Sequence, residues 1–332
     1  LGSPNIASKI WVYGQYDHEV GIRTVTKPGY DASVLRLDNG KFLSIKIDGN
    51  PKQCYINPRE GAIGCFEEAC RNVVCTGAKP IGMLDHLQFG NPNDPEIFWT
   101  FLESLKGLTD FAKDFEIPCV GGKVSLYNET SDGPIKPTPV IGVIGLIDKK
   151  PLKIQKINSG DSLIMIGDTK DELGGSEYSE YIHKFIGGKC PAVDFSESKK
   201  NMNSVLDIIE NELIKSAHDC SKGGLTIAIS ELCMINQIGC NVSLEKIPGE
   251  KLDSDKILFS ESHSRYLVTF ENKNLEKLEE VLKKHNVSYS LIGEFTGDSI
   301  LFSSDFKPII DLSVDKAQKT WFNSLKEMVL HA

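Results

Sequence analysis

Apolar positions along the chain change period several times, and each change marks an element. Pro28-Gly29-Tyr30 is a turn that runs into the alternating stretch Asp31 to Leu37, which predicts a half-buried strand. Asn39-Gly40 predicts a hairpin, with Phe42 to Ile47 as its second strand and Asp48-Gly49-Asn50-Pro51-Lys52 as the turn that ends it. Asn57-Pro58-Arg59-Glu60 has the signature of a helix start: Asn57 caps, Pro58 occupies the first turn and Glu60 the capping-box position. That helix runs to about Cys75 and stops at Gly77. Pro80 to Leu87 reads as a strand. Residues 95–115 read as an amphipathic helix through Ile97, Phe98, Phe101, Leu102, Leu105 and Leu108. Ile117 to Val120 is a strand entering a loop, Gly121 to Glu129, and Val140 to Ile147 is a further apolar strand.

This order, β-β-α-β-α-β-β, predicts an α+β first domain with a mixed sheet and helices on one face. Lys149 to Ser159 is basic, polar and Pro-containing, which places a boundary there. Beyond it, strands are expected at 162–166, 240–244, 266–270, 289–296 and 300–302. Helices are expected near 200–215, 224–236 and 274–286, with an amphipathic segment over 316–330. The second domain therefore reads as α/β, with helices packed on a mixed sheet. The organisation expected is an arm over 1–20, domains over 21–150 and 151–312, and a helical tail over 313–332.

Composition narrows the partners. The 332 residues are 25% charged and 40% apolar, and carry a net charge of -9. Such a balance argues against nucleic acid as a main partner, because phosphate backbones call for basic surface. No apolar run approaches the roughly 18–20 residues of a spanning helix, so no membrane partner is expected. The nine cysteines form no CxxC pair and no zinc spacing, which reads as reduced thiols in the cytoplasm. The first residues, Leu1-Gly2-Ser3-Pro4, lack a Met and suggest a piece of a longer chain.

The sequence has no Walker A motif, no GxGxxG after a strand and no nucleophile elbow. What remains is a scatter of oxygen ligands at turns: Asp31, Asp48, Glu68, Asn72, Asp85 and Asp219. Hard oxygens suit Mg²⁺, which takes a few carboxylates together with phosphate oxygens and water. Glu68 and Asn72 stand four apart and share a helix face, and Asn is a poor interior helix former. The run His218-Asp219-Cys220-Ser221-Lys222-Gly223-Gly224-Leu225 joins a carboxylate, a hydroxyl and a glycine pair ahead of an apolar helix, Thr226 to Met234. A helix N-terminus so fed favours anions. Ordinary caps and glycine turns account for the same residues, so residue chemistry alone leaves a Mg²⁺–nucleotide site and plain turn chemistry side by side. His86, His218 and His263 read as structural rather than as acids or bases.

Taken in order, these segments resemble a known family. Pro-Gly-Tyr-Asp31-Ala, Asp48 to Lys52, Glu68-Ala-Cys-Arg-Asn72, Asp85 to Pro92, Gly122 to Thr130, Pro137 to Gly142, Leu173 to Tyr178, His218 to Leu225 and Phe259 to Arg265 follow one another in the chain. In that order they resemble the C-terminal half of the synthetase subunit of phosphoribosylformylglycinamidine synthase, in the aminoimidazole ribonucleotide synthetase-like superfamily. The resemblance covers roughly residues 8–310. It implies a ligase of purine biosynthesis that uses ATP to activate the amide oxygen of formylglycinamide ribonucleotide, with ammonia from a glutamine amidotransferase forming the new C–N bond. It also implies a first domain that pairs with its counterpart into a β-barrel. By resemblance, Asp31, Glu68, Asn72 and Asp219 match Mg²⁺ positions, and Ser221, with Gly223 and Gly224, matches the ATP/ADP contacts. Gly49, Asn50 and Lys52 match a segment at the substrate phosphate.

The sequence departs from the family pattern at four places. Lys52 stands for a usual Arg, Lys123 for Asn, Lys222 for Asp and Gln88 for Asn. The N-terminal half, which carries the family's catalytic ATP site, has no counterpart here, so the chain alone is expected to be inactive. A second reading is a non-catalytic scaffold pinned by a structural nucleotide, serving the other half and the glutaminase. A selenophosphate or hydrogenase-maturation synthetase fits the Gly-Asn-Pro and Ser-Leu-Tyr-Asn-Glu runs less well. An unpaired barrel surface is apolar, which predicts a homodimer through residues 33–50 and 80–147.

Overall fold

The computed structural model describes residues 1–331; Ala332, the last residue of the expected tail, lies outside them. A short helix α1 (Ile10–Tyr13) precedes β1 (Thr24–Thr26), β2 (Ser33–Arg36) and β3 (Phe42–Asp48). Helices α2 (Pro51–Ile56) and α3 (Pro58–Val74) follow, then β4 (Lys79–Gln88), α4 (Pro95–Asp114) and β5 (Cys119–Ser125). A small ribbon of β6 (Glu129–Thr130) and β7 (Gly133–Pro134) leads into β8 (Thr138–Ile147). The six longer-range strands form one sheet in the order β1-β2-β3-β8-β4-β5. Only the β4–β5 pair is parallel, so the sheet is mixed. It is an open sheet; among the described residues no strand closes it into a barrel.

The second sheet takes β9 (Ser162–Ile166), β10 (Ser216–Asp219), β11 (Cys240–Ser243), β12 (Tyr266–Phe270), β13 (Tyr289–Phe295), β14 (Ser299–Ser304) and β15 (Lys307–Ser313). Its order is β10-β12-β9-β13-β11-β14-β15, with β11 and β14 parallel. Between these strands run α5 (Phe195–Glu210), α6 (Gly224–Asn236), α7 (Ser254–Phe259) and α8 (Leu275–His285), and α9 (Val314–Leu330) ends the described chain.

The burial pattern explains the two kinds of strand. In β9 every residue is buried: Ile164 and Ile166 enter one apolar cluster, Leu163 and Met165 the other. Side chains alternate across a strand, so a sheet covered on both faces reads as a continuous apolar run. Helices α5 and α8 cover one face, and α6 and α9 the other. In β8 the pattern instead alternates between buried and half-buried residues. Its inner residues Ile141 and Val143 pack towards α3, and among the described residues no helix covers the other face of that sheet. The cluster beneath the first sheet continues through α3 into α5 and the near face of the second sheet, so both domains share one core.

Helix α3 starts where the sequence places it. Asn57 accepts from the Arg59 and Glu60 amides at 3.2 and 3.1 Å. Every residue of α3 except Arg59 and Glu60 is buried. Several segments differ from expectation. Asp48 to Lys52 is not one turn, because Asn50 caps α2 through the Gln53 amide at 3.2 Å and Pro51 begins it. Gly121 to Ser125 is a strand, not a loop. Gly122 pairs with Asp85, whose carboxylate lies where a Cβ at Gly122 would stand. Strands β1, β10 and β15 are short or edge elements that periodicity passes over.

Close packing of α3 on β8 generates a prediction. A Cβ at Gly145 would overlap Val73 Cγ1 and lie 2.9 Å from Ala78 Cβ. Gly145→Ala is expected to destabilise the fold by about 1–3 kcal/mol in urea titrations. Adding Val73→Ala should recover part of that loss; a neutral single substitution would refute the packing argument.

Candidate functional site

The seam between the domains is lined by charge. From the first domain, α3 presents Glu67, Glu68, Arg71 and Asn72, the turn before β2 presents Asp31, and β3 ends on Asp48. From the second, β10 presents His218 and Asp219, and the turn Cys220 to Gly223 presents Lys222. Placing His218 and Asp219 on a strand fixes their direction, since β10 is registered against β12 with His218 opposite Leu267 and Asp219 opposite Tyr266.

Each carboxylate at the seam meets a protein cation or an amide. Asp31 Oδ1 lies 2.9 Å from His218 Nδ1 and accepts from the Asp219 amide at 2.9 Å. His218 Nε2 reaches Glu231 at 3.2 Å. Burial disfavours the charged imidazole, but Asp31 and Glu231 outweigh it and hold His218 protonated well above the usual histidine range. Asp219 Oδ2 accepts from Asn72 Nδ2 at 3.2 Å and pairs with Arg71 Nη2 at 3.3 Å. Asn72 Oδ1 accepts from Lys46 at 2.9 Å. Arg71 also pairs with Glu67, which accepts from Ser198 at 2.9 Å and Ser264 at 3.1 Å. Lys222 Nζ donates to Asp48 Oδ1 at 2.9 Å and to Glu68 Oε1 at 3.0 Å. Burial pushes the Asp48 carboxyl up, as does the Glu68 charge; for Glu68, burial is opposed by Lys222, by a hydrogen bond with Asp48 and by Arg71, which together lower it. Burial, followed by the charges of Arg71 and Arg265, keeps His263 neutral far below its usual range.

The turn before α6 has its own anion. Gly223 and Gly224 adopt left-handed backbone at φ 79° and 68°, and the Gly224 amide closes onto the Ser221 carbonyl at 2.9 Å. The Gly223 amide donates to Glu261 Oε1 at 2.8 Å, and the Glu177 amide does the same at 2.8 Å. Burial raises the Glu261 carboxyl to about 7, against the two amide bonds. The segment expected at a substrate phosphate is also engaged within the chain. Gly49 donates to Asp48 at 2.7 Å, and the Asn50 amide points to Cys65 Sγ at 3.0 Å. Lys52 is buried, pairing with Glu177 and with Glu180 at 3.1 Å.

The fold therefore brings Asp31, Asn72 and Asp219 together at one end of the seam. Atoms of Asp31, His218 and Asp219 lie within 4.8 Å of one another, and because a protonated His218 has no lone pair to give, the two carboxylates are the ligands available there. Asp31 and Asp219 make their hydrogen bonds through Oδ1 and Oδ2 respectively, and a hard cation at this end fits two carboxylates. Glu68 does not join them; its carboxylate is turned to Lys222. Ser221, Gly223 and Gly224 form the neighbouring turn, while Gly49, Asn50 and Lys52 lie beyond the Glu68 end. Sequence reasoning passed over Lys46, Glu67, Arg71 and Glu261. The available signal was Glu67 and Arg71, four apart in a helix otherwise rich in Ala, Cys and Val.

The sequence matches two family models in succession: AIR synthase related protein, N-terminal domain, over residues 29–147, and AIR synthase related protein, C-terminal domain, over residues 158–304. It is 42% identical to phosphoribosylformylglycinamidine synthase subunit PurL of Methanocaldococcus jannaschii, over 99% of this chain and 46% of that protein. For the subunit of the same name from Alkaliphilus metalliredigens the values are 40%, 98% and 44%. The chain thus spans about half the length of the curated relatives it matches. Among solved structures, T. maritima PurL complexed with FGAR superposes with a TM-score of 0.77 at 19% identity, over 89% of this chain and 49% of that one. T. maritima PurL complexed with ATP gives 0.73 at 19% identity, over 92% and 49%. A chain of the HypE-HypF complex gives 0.62 at 17% identity, over 86% and 93%. At these identities the superpositions establish the fold alone.

The Glu261 carboxyl sets a pH dependence. Its folded value, about 7, lies above the ordinary glutamate value of 4.5, so the folded state binds the proton more tightly than the unfolded chain. The folded state is favoured while Glu261 is protonated, and stability falls as pH rises from about 4.5 to about 7, by about 3 kcal/mol in all. Above that window the cost is constant. Glu261→Gln should remove this slope, read as the difference between the two proteins' urea midpoints from pH 4.5 to 8. Parallel pH curves for the two would contradict the assignment.

Proposed function

The chain belongs to the AIR synthase related proteins, and from that membership we propose that it works as the C-terminal half of the synthetase subunit of a phosphoribosylformylglycinamidine synthase. In this reading the whole enzyme is a C–N ligase of purine biosynthesis, turning formylglycinamide ribonucleotide into the amidine with ATP and glutamine. This half holds a nucleotide and contributes to the substrate site. The observation that carries the reading is the seam: Asp31 and Asn72 of one domain meet Asp219 of the other, and the Ser221–Gly224 turn that follows Asp219 meets Asp48 and Glu68 through Lys222. The expected division into domains over 21–150 and 151–312, between an arm and a tail, belongs to the same reading.

When bound, Mg²⁺ would screen the charge on the nucleotide's phosphates, with Asp31 and Asp219 holding it. The protein's own groups do the rest. Asn72 and Arg71 orient Asp219, and His218 orients Asp31. A polyphosphate at the Ser221–Gly224 turn requires the Gly223 amide to exchange the Glu261 carboxylate for a phosphate oxygen. A substrate phosphate at Gly49, Asn50 and Lys52 requires Lys52 to exchange Glu177 for the ligand. That existing engagement favours, as a second reading, a scaffold role in which the nucleotide is structural and chemistry belongs to the other half and the amidotransferase.

Pairing into a barrel also belongs to this proposal. Ile47, Ile81, Leu84, Val120 and Val124 are exposed on strands of the first sheet, at 65, 42, 41, 58 and 49%. An apolar sheet face without a helix calls for a partner, and the partner proposed is a module of the same fold, for this chain on its own a second copy.

Two outcomes test these readings. Protein purified without added nucleotide and then heat-denatured should release ATP or ADP, and Asp219→Ala should weaken nucleotide binding by roughly 10- to 100-fold in equilibrium dialysis with Mg²⁺. A protein that neither releases nor binds nucleotide sinks the site. Sedimentation should give a dimer that Val120→Glu converts to monomer; a wild-type monomer at high concentration rules out self-pairing.

A further inference from the structure

We propose that Lys222 is a protein-borne cation that stands in place of a divalent metal ion at the Asp48–Glu68 carboxylate pair. It follows that a divalent cation at this seam is confined to the Asp31–Asp219 end. The inference rests on the nucleotide-site reading only for its location; its chemistry stands on the geometry of the pair. Asp48 closes β3 and Glu68 lies on α3, and both side chains are more than nine-tenths buried, at 8 and 7% exposure. Two buried carboxylates facing one another call for a cation between them. The cation present is the Lys222 ammonium, at 2.9 and 3.0 Å, reaching across from the other domain.

Its reach is set by the backbone. Lys222 sits in the turn between β10 and α6, directly before Gly223 and Gly224 with their left-handed angles. The Gly223 amide is held by Glu261, so the turn is anchored on both sides of the seam. An ammonium spans two carboxylates with N–O distances near 2.9 Å, whereas Mg²⁺ draws its oxygens in to roughly 2.0–2.1 Å and keeps several waters. Lys222 takes one oxygen of each carboxylate, Asp48 Oδ1 and Glu68 Oε1, and its buried charge repels a second cation brought to the same pair. A lysine here also fixes the cation to the fold, so domain closure at this point does not depend on dissolved metal.

Mn²⁺ counting by electron paramagnetic resonance tests this on the full chain without nucleotide. Lys222→Ala and Lys222→Asp are expected to bind about one Mn²⁺ per chain more than wild type, and Glu68→Gln added to Lys222→Ala should abolish the gain. Lys222→Arg keeps a cation and should gain none. Glu68→Gln alone should leave the wild-type count unchanged, because the Lys222 charge already keeps divalent cations off the pair. Thermal melts by circular dichroism establish which variants fold, and the Glu68→Gln arm decides the matter if the Lys222 variants do not. A wild type that loses Mn²⁺ on Glu68→Gln overturns the inference, as does a folded Lys222→Ala that gains none. A protein that shows this Mn²⁺ pattern but holds no nucleotide retains the inference and loses the functional reading; nucleotide binding without the pattern does the reverse.

Discussion

Helix α3 carries Glu67, Glu68, Arg71 and Asn72 through the most enclosed part of the molecule, where an ionised side chain without a partner costs several kcal/mol. One face of the helix lies on the first sheet and the other meets α5 and β10, so solvent cannot serve as the partner. The opposing groups must come from the protein, and many come from the other domain: Ser198, Ser264, Asp219 and Lys222. The two domains are therefore tied by charge as well as by the shared apolar core. Neither tie is a surface ion pair of the kind that salt screens away. Removing one member leaves its partner buried and uncompensated, so the seam is specified as a set.

That constraint shapes what the seam can bind. A site assembled from unpaired carboxylates would await a metal to neutralise it. Here Asp31, Asp48, Glu68 and Asp219 each have a protein partner, and the start of α6 already holds the Glu261 carboxylate. The desolvation of these groups has been met in folding. A ligand that displaces one partner exchanges one electrostatic contact for another, and need not dehydrate the site afresh. Glu261 follows the same logic from the other side. Its carboxyl is raised because it is buried, yet the amides of Gly223 and Glu177 keep it in place.

Much of the scaffold was legible in the chain. Asn57-Pro58 located the start of α3, and the runs at 162–166 and 266–270 gave the central strands, because capping and periodicity are local properties. What escaped was decided at a distance. Gly121 to Ser125 looks like a loop until β4 is beside it and Asp85 lies over Gly122. Strand β10 is four residues long and exists through its pairing with β12. The candidate site was legible in its carboxylates and its glycine turn, but not in its counter-charges. Lys46, Arg71 and Lys222 are ordinary basic residues in one dimension, and only the fold shows which carboxylates they face.

The two sheets answer the same hydrophobic constraint differently. The second has helices on both faces, so its central strands β9 and β12 are buried throughout, and its edges are the four-residue β10 and the largely exposed β15. The first has helices on one face only, yet its strands are not polar on the other: Ile47, Leu84 and Val124 face outward. A sheet that met only water on that side would carry polar residues at those alternate positions. Charge and apolar surface are thus segregated, with charge neutralised inside the seam and uncovered apolar area on the far side of the first sheet. On β3 the two meet in adjacent residues, with Asp48 at the seam and Ile47 outside it, because successive side chains of a strand point to opposite faces.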